Sequence, residues 1–137
     1  ARRQWNLVDN KELDYHYLGD FDHDMLSVLK SEKNINKTAV QEIWHNDGDQ
    51  ILAYMRGDLV FVFNFSPTHS YTDYGFLVPT GSYEVVLNTD AKEFGGNGFA
   101  DDTMTHMTNY DELYVKDRKE WLKLYLPARS AVVLRKL

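Results

Sequence analysis

The chain has 137 residues, no cysteine, and 15 basic against 21 acidic side chains, a net charge of −6. The missing cysteines exclude a disulfide framework and thiolate chemistry, and the acidic balance without a Lys/Arg stripe argues against a nucleic-acid partner. With 43% hydrophobic and 14% aromatic residues the chain reads as a folded globule, and no apolar run approaches a membrane span, so a cytoplasmic protein without a membrane partner is the simplest expectation.

Residues 9 to 31 carry apolar side chains at helical spacing: Leu13, Tyr17 and Leu18, then Phe21, Met25, Leu26 and Leu29. Gly19-Asp20 interrupts them, and Asp20 is placed to cap a second segment, so two short helices of about ten residues each are expected. Leu13, Tyr17, Phe21, Met25 and Leu29 share one helix face and need a cover. We expect the part nearest the following linker to fold back on the rest of the chain, and the remainder to be covered by pairing with another copy or by packing contacts. Ser31 to Lys37 is polar and reads as that linker, exposed.

The period then changes to two. Val40 to His45, Ile51 to Met55, Leu59 to Phe65, Tyr83 to Leu87, Leu122 to Leu126 and Ala131 to Leu134 read as strands, rich in β-branched and aromatic residues. Tyr71 to Val78 and Met104 to Tyr114 carry the same pattern less clearly. Asn46-Asp47-Gly48-Asp49, Arg56-Gly57-Asp58 and Pro79-Thr80-Gly81 are turns. Short strands joined by regular turns predict an antiparallel β-sandwich of Greek-key type over residues 38–137, preceded by a helical segment and linker over 1–37. Phe61, Phe63, Val85, Leu87, Leu122, Leu124 and Val133 are the expected core. Asp90 to Asp102 is a long irregular stretch, functional or mobile.

Each chemical motif has a plainer reading. Gly95-Gly96-Asn97-Gly98 lacks the Lys-Ser/Thr of a phosphate loop and reads as a turn. Asp22-His23-Asp24 and His45 to Asp49 lack metal-ligand spacing and read as solvated charge, so no metal and no cofactor are expected. Ser66, His69 and Asp73 crowd into one turn, unlike a nucleophile triad assembled from distant loops. Glu42, Glu84, Asp90 and Glu93 are acids with no pairing that spacing supports, so no catalytic residue is assigned. Aromatic rings are the remaining route to a ligand. Tyr71 and Tyr74 flank a turn, and Trp121 and Tyr125 lie on the strand face opposite Leu122, Leu124 and Leu126, which makes these four the candidate carbohydrate-binding residues.

Two strings are distinctive: Leu59-Val-Phe-Val-Phe-Asn-Phe-Ser-Pro-Thr-His-Ser-Tyr-Thr-Asp-Tyr74 and Asp90-Ala-Lys-Glu-Phe-Gly-Gly-Asn-Gly98. With Arg2 to Asn10 at the start and Ser130 to Leu134 at the end, they resemble the C-terminal β-domain of 1,4-α-glucan (glycogen) branching enzymes of the α-amylase superfamily. The start resembles the tail of that family's catalytic (β/α)8 barrel. A barrel needs about 250 residues and is not contained here. The resemblance implies a non-catalytic piece of a glycosyltransferase of glycogen biosynthesis. The parent cuts an α-1,4 bond and re-attaches the segment through α-1,6, by a covalent glycosyl-enzyme intermediate and without a cofactor. It implies the barrel of the same polypeptide as direct partner and α-glucan as an indirect one, with barrel stabilisation as the role. A glucan-binding module is the alternative. It predicts exposed aromatic rings in a line on one sheet face.

Overall fold

A computed structural model describes residues 4–110 and 120–137. Among the described residues two α-helices, α1 (Trp5–Asp9) and α2 (Tyr15–Ser31), precede nine strands. These are β1 (Gln41–Asn46), β2 (Ile51–Arg56), β3 (Leu59–Asn64), β4 (Tyr71–Leu77), β5 (Ser82–Asn88), β6 (Thr105–Met107), β7 (Asn109–Tyr110), β8 (Glu120–Leu126) and β9 (Ser130–Lys136). The expected strand from Met104 to Tyr114 is the pair β6 and β7 as far as Tyr110; its last residues lie outside the described ones.

All strand pairs among the described residues are antiparallel. They form a six-stranded sheet, β1-β2-β3-β9-β5-β6, and a three-stranded sheet, β4-β8-β7. β9 inserts between β3 and β5, the non-sequential neighbours of a Greek key. The expected mainly-β antiparallel fold is therefore present.

Two apolar layers result. Between the sheets, Ile51, Ala53, Val60, Val62, Tyr83 and Leu134 of the large sheet meet Phe76, Leu122, Leu124 and Leu126 of the small one. On the opposite side of the large sheet, Leu59, Leu87 and Val133 form a second cluster with Ile35, under Phe21, Met25, Val28 and Leu29 of α2. This corrects the expected core. Val60 and Val62 fill the sandwich, Phe61 lies with Leu87 and Val133 in the second layer, and Phe63 is half-buried on that same outer side. β3 is apolar on both faces because both faces are covered at its start, so alternation alone does not say which face looks into the sandwich.

The helical segment also differs from expectation. α2 runs uninterrupted through Gly19 for 17 residues. A Cβ at Gly19 would stand 2.7 Å from Cγ1 of Val8, so this glycine lets α1 approach α2 rather than breaking the helix. The whole stripe from Leu13 to Leu29 is half-buried, and Phe21 meets Phe94 edge-on, ring centroids 5.3 Å apart. The linker is not simply exposed, because Ile35 is 8% accessible and anchors it to the second cluster. Arg135 of β9 clasps the helix end: its Nε donates to Glu32 Oε1 at 2.6 Å and an Nη donates to Ser31 Oγ at 2.9 Å.

Candidate functional site

The four aromatic residues singled out from the sequence fall in two places. Tyr71 and Tyr74 of β4 stand edge to face, centroids 5.1 Å apart, at the corner where the β1–β2 turn meets the small sheet. Asn46 of that turn accepts the Asp49 N–H through its side chain, which fixes Asp49. The Asp49 backbone carbonyl then accepts from the Tyr71 hydroxyl, and its carboxylate from the Tyr74 hydroxyl, both at 2.9 Å. Trp44 Nε1–H donates to the Tyr74 oxygen at 3.1 Å, and the Trp44 ring meets Trp121 edge-on at 5.7 Å. Burial, with Asp49 adding to it, pushes the Tyr74 hydroxyl up to about 12 despite the opposing Trp44 N–H. Three of the four aromatics thus meet at one corner, tied to Trp44 and Asp49. Trp44 did not stand out in the sequence and Asp49 did so only as a turn residue, since their partners are 22 to 77 residues away.

Tyr125 lies apart. It lines a cavity of about 160 Å³ with Asn88, Asp101 and His106. The loop beside it is built on one carboxylate. Asp90 is 5% accessible, and its oxygens accept the backbone N–H groups of Asn97 (3.2 Å), Phe99 (2.7 Å) and Ala100 (3.0 Å). The Asp90 carbonyl accepts from Gly98 N–H at 2.7 Å. A Cβ at Gly96 would overlap the Asp90 backbone, so the chain needs glycine there to close on it. The glycine-rich stretch therefore spends its amides on the chain's own carboxylate and is not an anion cradle. Desolvation holds His106 below its usual 6.5, with the Asp101 carboxylate pulling the other way.

A third feature escaped the sequence reading. Tyr54 stacks on Phe61 (4.9 Å, 14° between rings) and on Phe63 (5.7 Å, 20°), and Phe63 stacks on Phe65 (5.6 Å, 9°). The strip begins in the layer under α2 and continues along the same sheet face through half-buried Tyr54 and Phe63 to Phe65, which is 60% exposed. The signal for it was the Phe61, Phe63, Phe65 alternation, of which Phe61 and Phe63 were expected in the core.

The remaining motifs have local roles. Ser66, 1% accessible, accepts the His69 N–H at 3.0 Å and stands 3.4 Å from His69 Nδ1, closing the turn after β3. Asp73 is exposed. His23 contacts Asp24, and His45 contacts Glu42, both at the surface. Glu84 reaches Arg135 at 3.5 Å, and Glu93 is exposed. Among the described residues no three His, Cys, Asp or Glu side chains are grouped to hold a metal ion, and no helix is long and apolar enough to cross a membrane.

Residues 43–136 match the family described as alpha amylase, C-terminal all-beta domain. The chain is 38% identical to the 1,4-alpha-glucan-branching enzyme of Saccharomyces cerevisiae over 135 residues, 98% of this chain and 19% of the relative. It is 37% identical over 136 residues to the enzyme of that name from Rhizophagus irregularis, with 98% and 20% covered. For Emericella nidulans the figure is 36% over 135 residues, with 98% and 19% covered. The chain spans about a fifth of the length of these curated relatives.

Proposed function

The chain belongs to the alpha-amylase C-terminal all-beta domain family, and from that premise we propose that it is the C-terminal domain of a 1,4-α-glucan branching enzyme, non-catalytic alone, which stabilises the catalytic barrel of the same polypeptide. The identity shared with branching enzymes over 98% of this chain supports that choice within the family. On this reading residues 1–37 are the end of the barrel and its linker, and residues 38–137 are the β-domain. The parent reaction transfers an α-1,4-glucan segment to an α-1,6 linkage.

The observation that carries the proposal is the outer face of the six-stranded sheet. α2 covers one half, and the stacked strip Phe61–Tyr54–Phe63–Phe65 continues from beneath it across the other. A run of stacked rings that passes from this interface through half-buried Tyr54 and Phe63 to exposed Phe65 suits a larger extension of the interface. The barrel is the occupant we assign.

Glycosidic transfer needs two carboxylates flanking one bond. The four acids noted in the sequence are separately engaged or exposed: Asp90 holds its own loop, Glu42 meets His45, Glu84 meets Arg135, and Glu93 stands in solvent. The isolated chain is therefore expected to leave amylose unbranched. Iodine staining reads this: absorbance should stay constant, and a time-dependent fall that survives repurification would overturn the non-catalytic assignment.

The aromatic strip is also what a glucan-binding module would present, and Tyr71, Tyr74, Trp121 and Tyr125 remain its proposed helpers. Tyr71 and Tyr74 commit their hydroxyls to Asp49, which leaves ring faces as their contribution. Maltoheptaose binding by the isolated chain, lost in the double substitution Phe63→Ser, Phe65→Ser, would select that reading instead.

A further inference from the structure

Beside Tyr125, where β6 stops short of the end of β5, the edge of the sandwich is left open. The cavity of about 160 Å³ there is walled by apolar Val85, Leu124 and Val132 and by polar Asn88, Asp101 and His106. Asn88 is 4% accessible. Its Oδ1 accepts the Asp90 N–H at 2.9 Å, which fixes the orientation of the amide. Its NH2 donates to no group among the described residues. Yet none of the buried polar side-chain atoms there lacks a partner. The NH2 therefore faces open space, and the space that Asn88 lines is this cavity. The two donors of this nearly buried residue are thus reachable from the cavity and available to a group placed there.

The remaining chemistry narrows the occupant. No Lys or Arg lines the cavity among the described residues, and Asp101 puts a carboxylate there, so an anion is disfavoured. His106 brings an imidazole to the wall, and burial, against the pull of Asp101, favours its neutral form with one donor and one acceptor. Mixed single hydrogen bonds against an apolar wall suit an uncharged polyhydroxylated ring. The volume is well below the roughly 300–1,000 Å³ of sites for larger ligands, so one ring enters and a chain of rings does not. The wall is preformed, because the Asp90 carboxylate already holds the backbone of Asn97, Phe99 and Ala100.

We propose that this cavity binds one neutral sugar ring, a glucopyranosyl unit, with the Asn88 NH2 donating to one of its hydroxyls. The site stands on the cavity and the idle amide; the choice of glucose rests on the branching-enzyme reading. Two-dimensional NMR of the 137-residue chain, titrated separately with glucose, maltose and galactose, tests it. Glucose and maltose should shift the Asn88 side-chain amide, Ala100 and His106, with millimolar Kd. Asn88→Asp keeps the acceptor for Asp90 and removes the donor, and should weaken binding about tenfold. Ala100→Met keeps the backbone N–H and fills the space, and should abolish the shifts. No shift at these residues with any of the three sugars, or unaltered binding by Ala100→Met, overturns the site. Binding of galactose alone would uphold the site and count against the glucan reading, so the two fail separately.

Discussion

Replacing Asn64 by alanine is expected to destabilise the protein by about 3 kcal/mol and to lower its melting temperature by about 10 °C, more than any single apolar truncation on the sheet surface. Asn64 ends β3 on the sandwich side and is 2% accessible. Its NH2 lies within hydrogen-bond reach of three carbonyls, those of His69 (2.9 Å), Leu126 (3.1 Å) and Pro127 (3.0 Å), and its Oδ1 accepts the Ser66 N–H at 3.0 Å. One side chain thus joins the end of β3, the turn leading to β4 and the end of β8. Alanine leaves the Ser66 N–H without this acceptor and takes the Asn64 donor from three carbonyls. Pro127 keeps the Ser130 hydroxyl, so the loss is less than a full count of four bonds. Asn64→Asp tests the mechanism. It preserves size and the acceptor for Ser66 but sets a carboxylate against three carbonyl oxygens, and should cost at least as much as alanine. Chemical denaturation of the three proteins decides it, and a loss below about 1 kcal/mol in both variants would contradict the account.

Asp90→Ala should cost a similar amount, about 3 kcal/mol, and do so locally. Three backbone N–H groups lose a charged acceptor, and bonds of this kind are each worth about 1.5–3 kcal/mol when one partner is ionised. Some of that is recovered as the freed amides meet water. The expected signature is therefore twofold: a lower melting temperature, and faster amide hydrogen exchange at Asn97, Phe99 and Ala100 with exchange in β3 and β9 scaled only by global stability. Asp90→Asn, which retains one oxygen, should lie between. Unchanged exchange at those three amides would show that the loop is held by something other than the carboxylate.

Both residues mark where sequence reasoning stops. The strands were legible, because period-two apolar runs between Gly, Asn, Asp and Pro turns leave few alternatives, and β1 to β5, β8 and β9 lie close to where those runs put them. The facing of those strands was less so. Leu59 to Phe65 is apolar on both sides, and only the position of α2 decides that Phe61 and Phe63 point away from the sandwich. Gly19 was read as a helix break, since glycine lowers helix propensity, but it marks the close approach of Val8, a contact no local pattern encodes.

Asn64 sat inside an apolar run without a visible reason, because its partners at Leu126 and Pro127 are 62 and 63 positions away. The same holds for the aromatic corner: Tyr71 and Tyr74 were noticed for their rings, while Asp49, which accepts from both hydroxyls, and Trp44, which donates to Tyr74, come from the β1–β2 turn and from β1 of the other sheet. Asn88 gave no signal at all, since an idle amide is a property of packing. Composition and resemblance reached the family; the polar anchors and the cavity required the fold.

The central claim is that the outer face of the large sheet docks on a catalytic barrel. The direct test is a chimera in which this chain replaces the matching segment of the Saccharomyces cerevisiae branching enzyme, made with and without Phe63→Ser, Phe65→Ser. The measurement is branching activity after graded heating. The unmodified chimera should branch amylose and lose activity in one cooperative step. The double variant should start with comparable activity and lose it at a temperature lower by several degrees, a larger drop than the same substitutions cause in the isolated 137-residue chain, which loses only the ring stacking and partial burial of Phe63 outside the sandwich core. Equal heat resistance of the two chimeras would contradict the assignment of this face to the barrel.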